Sequence, residues 1–208
     1  MSENRQIYLM RHARPELPFG GRVYYGQTDY PLSADGKTAA AALGSALATG
    51  GISFSRVYTS DMLRAKETAA LALPGFTATE VPAFREINLG EWEGRGYDEV
   101  RTEFKEIYEA RGAKFASVAP PGGENFIQLQ QRTVPAFEEL RAAFPGENLM
   151  IVAHGAAIWS IMAHYLRLDL NDMFFFTQDY CGIHMLEERC GRLRLLKYNW
   201  TPALDTTN

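Results

Sequence analysis

The chain has 208 residues, enough to bury a full core, and its composition of 46% hydrophobic and 22% charged residues is that of an ordinary globular protein. A formal net charge of −4 gives no reason to expect nucleic acid as a partner, and no apolar run approaches the ~20 residues that a membrane-spanning helix needs. Nothing at the start resembles a secretory signal. We therefore predict one cytoplasmic domain over residues 1–208, with Cys181 and Cys190 reduced and no membrane partner.

The first predicted element is the apolar run at residues 7–10, which ends on Arg11 and His12. Short apolar runs of this kind are typical of strands buried on both faces of a sheet. The following loop, residues 13–32, is rich in Pro, Gly and Tyr, and so long a loop beside a strand end is more often functional than idle. We predict that it supplies substrate contacts, although its tyrosines could instead simply pack the loop. The predicted contacts are Arg14, Tyr25, Gly26 and Gln27.

The next elements are an alanine-rich helix over residues 34–49, capped by the preceding serine, and a strand over residues 56–59. A second helix is predicted over residues 61–73, with Ser60 as its N-cap. Arg64 lies about one turn into this helix. Because helical side chains lean towards the N-terminus, Arg64 is predicted to point back at the preceding strand end.

Three carboxylates lie in the glycine-punctuated segment at residues 84–94, namely Glu86, Glu91 and Glu93. A carboxyl group whose environment raises its pKa can donate a proton to a leaving group and later accept one from water. We assign this role to Glu86. The alternative is that Glu91 or Glu93 is the acid and Glu86 is a structural partner.

Residues 90–123 are interpreted as a cap-like insertion over the edge of the sheet, within the single domain. This cap-like segment contains a predicted helix over residues 97–111, and a long amphipathic helix follows over residues 124–144.

A second apolar run, residues 149–153, ends on His154 and Gly155 in the way that the first run ends on His12. In an open α/β sheet, ligands bind beyond the carboxyl ends of such strands. Both histidines are therefore predicted to lie at one functional edge of one sheet.

The chain then continues into a predicted helix over residues 156–168 and a short helix that carries three consecutive phenylalanines at residues 174–176. We expect the phenylalanines to pack in the core, with a dimer contact as the alternative. An antiparallel hairpin is predicted over residues 180–198. His164 and His184 are predicted to be structural.

Together these residues suit a phosphoryl group, whose transfer depends mainly on positioning and electrostatic stabilisation. Arg11 and Arg64 supply planar, positively charged guanidinium groups, and the amides from Gly155 onwards supply N–H donors at a helix start. His12 can attack phosphorus as a neutral imidazole, and His154, protonated beside a bound anion, would stabilise the transition state. A metal held by the histidines and a carboxylate is the alternative, but two nearby arginines would repel a cation. No metal or other cofactor is predicted.

Four ordered blocks resemble those of the histidine phosphatase superfamily, also called phosphoglycerate-mutase-like. The blocks are Met10-Arg11-His12-Ala13, residues 25–36 from Tyr-Gly-Gln-Thr-Asp to Ser-Ala-Asp-Gly, Ser60-Asp61-Met62-Leu63-Arg64-Ala65, and Val152-Ala153-His154-Gly155. The resemblance implies a three-layer α/β/α sandwich with a mostly parallel sheet and catalysis without a metal. It also implies that His12 is the phosphorylated nucleophile and Glu86 the proton donor. The residues implied to complete the phosphate pocket are Arg11, Arg64 and His154, and the amide of Gly155 is a predicted substrate contact.

The segment around Glu86 and the later Pro121-Gly122-Gly123-Glu124 are most similar to the small-phosphatase branch, which includes α-ribazole phosphatase and broad-specificity phosphatases. The chain departs from the family pattern at Ala13, where a glycine is usual, and Asn125 replaces a serine. The asparagine that holds phosphate in many members has no clear counterpart, and Arg14 could fill that place or contact the leaving group.

The sequence therefore predicts a phosphomonoester phosphatase that acts on a small phosphorylated metabolite through a phosphohistidine, with α-ribazole phosphatase as the most specific reading. The alternatives are a mutase that returns the phosphoryl group to its substrate, and an inactive relative that binds phosphoesters or proteins. A mutase must exclude water from the phosphoenzyme, and the cap-like segment is short for that. The sequence leaves the oligomeric state open.

Overall fold

A computed structural model describes residues 4–202, so residues 1–3 and 203–208 of the predicted domain lie outside it. Its centre is a sheet of six strands in the order β3-β2-β4-β1-β5-β6. Strands β3, β2, β4 and β1 are parallel neighbours, whereas β5 runs antiparallel to β1 and to β6. The mostly parallel sheet and the C-terminal hairpin are therefore confirmed. The strands are β1 (Arg5–Arg11), β2 (Arg56–Thr59), β3 (Thr79–Glu80), β4 (Leu149–Ala153), β5 (Ile183–Arg189) and β6 (Arg192–Trp200).

Helices cover both faces of the sheet, and successive side chains of β1 pack against helices on opposite faces. Tyr8 and Met10 pack in one core cluster with residues of α1 and α2, while Ile7 and Leu9 pack in another with residues of α5 and α6. The three-layer α/β/α arrangement is therefore confirmed. The helices are α1 (Ala34–Thr49), α2 (Leu63–Ala72), α3 (Tyr97–Glu103), α4 (Lys105–Ala113), α5 (Phe126–Ala143) and α6 (Gly155–Leu166), with 3-10 turns at Phe19–Gly21, Pro82–Phe84, Gly90–Trp92 and Leu170–Phe175.

The cap-like segment, residues 90–123, packs in a third core cluster that it shares with α5 and α6. Trp92 and Val100 are buried with Phe126 of α5 and Trp159 of α6. The single helix predicted over residues 97–111 is instead two helices, α3 and α4, because the chain leaves helical geometry at Phe104. No helix within residues 4–202 is long and apolar enough to cross a membrane.

The start of α2 differs from the predicted one. The helix begins at Leu63, and Met62 occupies the N-cap position without a side-chain hydrogen bond, so Ser60 is not the cap. The first helical amide instead donates to both carboxylate oxygens of Asp29, at 2.9 and 2.8 Å. A carboxylate at a helix N-terminus satisfies free amides and complements the helix dipole, and here it comes from a loop 34 residues away.

The prediction that the three phenylalanines pack in the core is wrong for two of them. Phe174 and Phe175 are 75% and 85% exposed, and only Phe176 packs inwards, with its ring 4.8 Å from that of Trp159. The segment is a 3-10 turn with no buried residue, so consecutive side chains splay in different directions. Three adjacent aromatic residues cannot all reach one core from such a turn.

Candidate active site

The first candidate, His12, lies directly after β1 and beside β4. Its backbone N–H donates to the Ala153 carbonyl at 2.9 Å, and β1 and β4 are paired in register up to Arg11 and Ala153. The ring centroids of His12 and His154 are 5.0 Å apart. The parallel pairing of the two strands thus brings both histidines to the same edge of the sheet, as predicted.

The hydrogen bonds of His12 define its tautomer. Its Nδ1 lies 2.7 Å from the Ala13 carbonyl oxygen, which can only accept, so Nδ1 carries the proton. Nε2 accepts a hydrogen bond from Arg64 Nε at 3.2 Å. Burial lowers the pKa of His12 well below its usual range, and the charges of Arg64 and Arg11 lower it further. His12 is therefore a neutral imidazole whose Nε2 lone pair faces Arg64.

Arg64 is fully buried, and its guanidinium is held from two sides. Besides donating to His12, it donates to the Thr28 carbonyl at 3.0 Å and to the Gly26 carbonyl at 2.6 Å. Its side chain does lean back from α2 towards the strand end, as predicted. Because its two terminal nitrogens are anchored by carbonyls, the Nε–H edge of the guanidinium is presented to His12 with little freedom to move.

His154 lies at the start of α6 with both ring nitrogens buried and without a hydrogen-bond partner among residues 4–202. Burial lowers its pKa well below the usual range, and the charges of Arg64, His12 and Arg11 act in the same direction. The protonated state expected from the sequence therefore requires an added negative charge, such as a phosphate dianion, to oppose the arginines.

Two tyrosines connect the arginines across the mouth of the site. The Arg11 guanidinium lies 4.2 Å from the ring centre of Tyr180, and that of Arg64 lies 5.4 Å from the ring centre of Tyr25. The hydroxyls of Tyr25 and Tyr180 are hydrogen-bonded at 2.7 Å. Arg11 also donates to the Gln178 carbonyl.

Tyr180 and Gln178 were missed from the sequence because they precede a hairpin with no motif to mark them. The structure brings them there because β5 pairs antiparallel with β1, which returns this part of the chain to the strand end that carries Arg11 and His12.

Glu86 reaches the same place from the loop after β3. One carboxylate oxygen accepts from the Ala156 amide at 3.2 Å, and the other accepts from the Ile87 amide at 2.8 Å. A Cβ on Gly155 would lie 3.7 Å from Arg11 Nε and 3.9 Å from the Glu86 carboxylate, so all three groups surround the first turn of α6. The structure thus places a carboxylate, a guanidinium and the start of a helix around one point.

Glu93, which the sequence left open as the acid, has a different place. Its carboxylate accepts from the amides of Gly26, Gln27 and Thr28, from the Thr28 hydroxyl and from the Leu89 amide, at 2.7 to 3.0 Å. Burial alone would raise its pKa, but the hydrogen bonds outweigh burial and the pKa is lowered. Glu93 is therefore an anion that binds the loop, not a proton donor.

The loop bound by Glu93 is the one that holds Arg64. The carbonyls of Gly26 and Thr28 both accept from that arginine, and a Cβ on Gly26 would lie 1.9 Å from the Ile87 carbonyl oxygen. Only glycine permits this approach. The side chain of Gln27 donates to the Glu86 carbonyl at 3.0 Å. Glu93 thus ties Arg64 and Glu86 into one framework.

Replacing Glu93 with glutamine is expected to lower kcat/KM for any substrate about tenfold and the free energy of unfolding by about 1–3 kcal/mol, because the amide keeps only part of the set of bonds. Because the folded-state pKa of Glu93 lies below the ordinary value of 4.5, its contribution is complete above that pH and is lost as the pH falls through the folded-state pKa. The stability difference between wild type and variant, measured by urea unfolding, should therefore shrink below pH 4.5. Glu91→Gln, at an exposed neighbouring carboxylate, is the control, and equal effects of the two changes would contradict this role.

The remaining predicted residues are less central. Arg14 is exposed at the mouth, with its guanidinium 5.7 Å from the ring centre of Tyr180. His184 is buried and its Nδ1 accepts from the Asn199 amide at 3.2 Å, which agrees with a structural role. His164 is exposed on α6. Within residues 4–202 no three His, Cys, Asp or Glu side chains lie close enough to hold a metal ion.

Comparison with protein families gives one match across most of the chain. The family described as the histidine phosphatase superfamily (branch 1) matches residues 7–201. Among curated proteins, 6-phosphofructo-2-kinase/fructose-2,6-bisphosphatase 1 of Rattus norvegicus is 34% identical over 181 residues, which are 86% of this chain and 36% of that protein. The chain thus spans little more than a third of the length of these curated relatives.

Solved structures match the fold over most of the chain. A putative α-ribazole-5′-P phosphatase from Escherichia coli K-12 superposes with a TM-score of 0.85 at 26% identity, covering 95% of this chain and 97% of the other. A mycobacterial glucosyl-3-phosphoglycerate phosphatase superposes with a TM-score of 0.79 at 26% identity, covering 94% of this chain and 98% of the other.

Proposed function

The chain belongs to the histidine phosphatase superfamily, and from this premise we propose that it hydrolyses phosphomonoesters of small metabolites through a phosphohistidine. The observation that carries the proposal is the state of His12: its Nε2 is unprotonated and accepts from the buried Arg64 guanidinium, the charge of Arg11 also acts on it, and the His154 ring lies 5.0 Å away. A phosphoryl group needs this combination of a nucleophile and fixed positive charge.

In the first step the phosphate of the ester lies against Arg11, Arg64 and the amide of Gly155. Nε2 of His12 attacks phosphorus while the bond to the ester oxygen breaks, and Glu86, protonated at that moment, gives its proton to the leaving oxygen. The products are phosphohistidine, the free alcohol and ionised Glu86.

In the second step water attacks the phosphohistidine, and Glu86 takes the water's proton. Inorganic phosphate leaves, and His12 returns to the neutral state with Glu86 protonated for the next cycle. His154, facing the phosphoryl oxygens, stabilises the added negative charge in both transition states. Tyr25, Gly26 and Gln27 are predicted to contact the substrate. In this scheme their main effect is indirect, because they belong to the loop that holds Arg64.

The fold neighbours support a small substrate without identifying it. α-Ribazole phosphate is one candidate, since the Escherichia coli neighbour carries the name of an α-ribazole-5′-P phosphatase, and a phosphorylated sugar acid is another, from the mycobacterial neighbour. A cytoplasmic location and a capping role for residues 90–123 are parts of the same proposal.

The experiment that tests the function is a panel of phosphate esters assayed with and without a chelator. Sugar phosphates, phosphoglycerates, nucleotides and α-ribazole phosphate are incubated with the chain, and both inorganic phosphate and isomerised ester are measured. We expect release of phosphate that the chelator does not affect. Isomerised product without phosphate would indicate a mutase, and absence of turnover and of phosphoenzyme would indicate a binding protein.

A further inference from the structure

Arg14 is a positively charged group at the mouth of the site that the proposed reaction does not use. Its guanidinium lies 5.7 Å from the centre of the Tyr180 ring, and the same ring lies 4.2 Å from Arg11 and 5.6 Å from the His12 ring. Because Arg11 and Arg14 lie over one ring, their guanidiniums are within about 10 Å of each other. One small ester can therefore contact both.

The backbone of Arg14 is held firmly although its side chain is exposed. Its carbonyl accepts from the Ser33 amide at 3.0 Å and from the Ser33 hydroxyl at 3.2 Å. A Cβ on Gly36 would lie 2.1 Å from the same carbonyl oxygen, so the first turn of α1 rests against it. The backbone from which the Arg14 side chain extends is thus held in place, two residues after His12.

No carboxylate among residues 4–202 lies within ion-pair distance of Arg14. Three carboxylates of the site are engaged elsewhere: Asp29 with the start of α2 and with Arg64, Glu93 with its loop, and Glu86 with the amides of Ile87 and Ala156. The charge of Arg14 is therefore not neutralised by the protein.

The charges of the phosphate pocket explain why this matters. In the proposed reaction Arg11 and Arg64 match the charge of a phosphate dianion, and the start of α6 adds further positive potential. Arg14 adds a third positive charge at the exposed mouth of the site, within about 10 Å of Arg11, where the rest of a bound ester can reach it.

We infer that Arg14 selects esters whose leaving group carries a second negative charge close to the phosphate, such as short phosphorylated carboxylic acids. This inference rests on the proposed phosphatase function. Arg14 would bind the second anion through charge-assisted hydrogen bonds from its guanidinium. Arg11 and Arg64 would bind the phosphoryl group that reacts with His12.

The test compares two esters that differ at one end only, 3-phosphoglycerate with a carboxylate and glycerol 3-phosphate with a neutral hydroxymethyl group. Wild-type enzyme is expected to favour the carboxylate in kcat/KM. Arg14→Gln should lower the ratio of the two kcat/KM values about tenfold, mainly through KM for the carboxylate, and Arg14→Lys should restore part of it. The preference should also weaken as salt is added.

Arg22→Gln is the matched control, because Arg22 is an exposed arginine of the same loop whose partner is Asp98 on α3. The ratio should not change in this variant. A wild type without preference for the carboxylate, or equal losses on both esters in Arg14→Gln, would overturn the inference while phosphate release still supports the phosphatase. No phosphate from either ester or from p-nitrophenyl phosphate would instead remove the function on which the inference rests.

Discussion

His12→Ala is expected to abolish turnover, with a fall in kcat of at least about 10⁴-fold on every ester. The reason lies in the geometry: Nε2 of His12 is the unprotonated nitrogen that Arg64 orients, in a residue that is 1% exposed. Without the imidazole, phosphorus has no nucleophile within the pocket.

The measurement is rapid mixing with a labelled phosphate ester, followed by a search for an acid-labile phosphoenzyme. Wild-type enzyme should show labelled protein in amounts close to one per chain, and His12→Ala should show none. His164→Ala, which removes an exposed histidine from α6, is the control and should be labelled normally. Labelled protein in the His12 variant would mean that another group is the nucleophile.

Folding of the His12 variant must be checked separately, because the change also removes an acceptor from buried Arg64. Arg64 keeps the carbonyls of Gly26 and Thr28, so we expect the fold to persist with a loss of about 1–3 kcal/mol. Thermal unfolding gives this value, and binding of inorganic phosphate to the variant would demonstrate that the arginines still form the pocket.

Glu86→Gln is the second change with a large expected effect, and its signature is dependence on the leaving group. Esters of ordinary alcohols should lose about 10²- to 10⁴-fold in kcat/KM, since an alkoxide cannot leave without a proton. p-Nitrophenyl phosphate should lose less than about tenfold, because its leaving group is stable as an anion. Glutamine is nearly isosteric and its oxygen can still accept from the Ala156 amide, so the first turn of α6 should remain in place.

The second half of the reaction provides an independent check on Glu86. In the proposed mechanism ionised Glu86 also accepts the proton of the attacking water, so with the aryl ester the phosphoenzyme of the variant should decay more slowly than that of wild type. Glu91→Gln should behave as wild type on both esters, since Glu91 is exposed. If Glu86→Gln changes no ester, the acid is misassigned, and the hydrogen bonds of Glu93 make that residue a poor replacement.

The elements that carry the nucleophile and its partner histidine were predictable from residue patterns. Residues 7–10 and 149–153 are apolar on both faces because helices cover both sides of the sheet. Each strand can therefore be recognised in the sequence as an uninterrupted apolar run. The same holds for α1, whose Ser33 cap accepts from the Gly36 amide at 3.0 Å within its own first turn. Interactions between near neighbours in the chain are visible in local composition.

Other parts of the site were not predictable in this way. Ser60 has the right residue type for a helix cap, yet Asp29 satisfies the helix amide because the loop after β1 is folded against α2. Glu93 differs from Glu86 only in what surrounds it: Glu93 meets backbone amides of residues 26–28, whereas Glu86 meets the start of α6. Residue type alone does not distinguish an anchor from an acid.

The amino-acid sequence by itself thus determined the order of strands and helices, the two histidines at strand ends and the family to which the chain belongs. Only the tertiary structure decided the tautomer of His12, the task of Glu93, the meeting of Tyr25 with Tyr180 across 155 residues, and the exposure of Phe174 and Phe175. The physical reason is the distance along the chain between the residues that interact. Periodicity and capping depend on neighbours a few residues apart, whereas hydrogen-bond partners and burial at the site depend on segments that only the folded chain brings together.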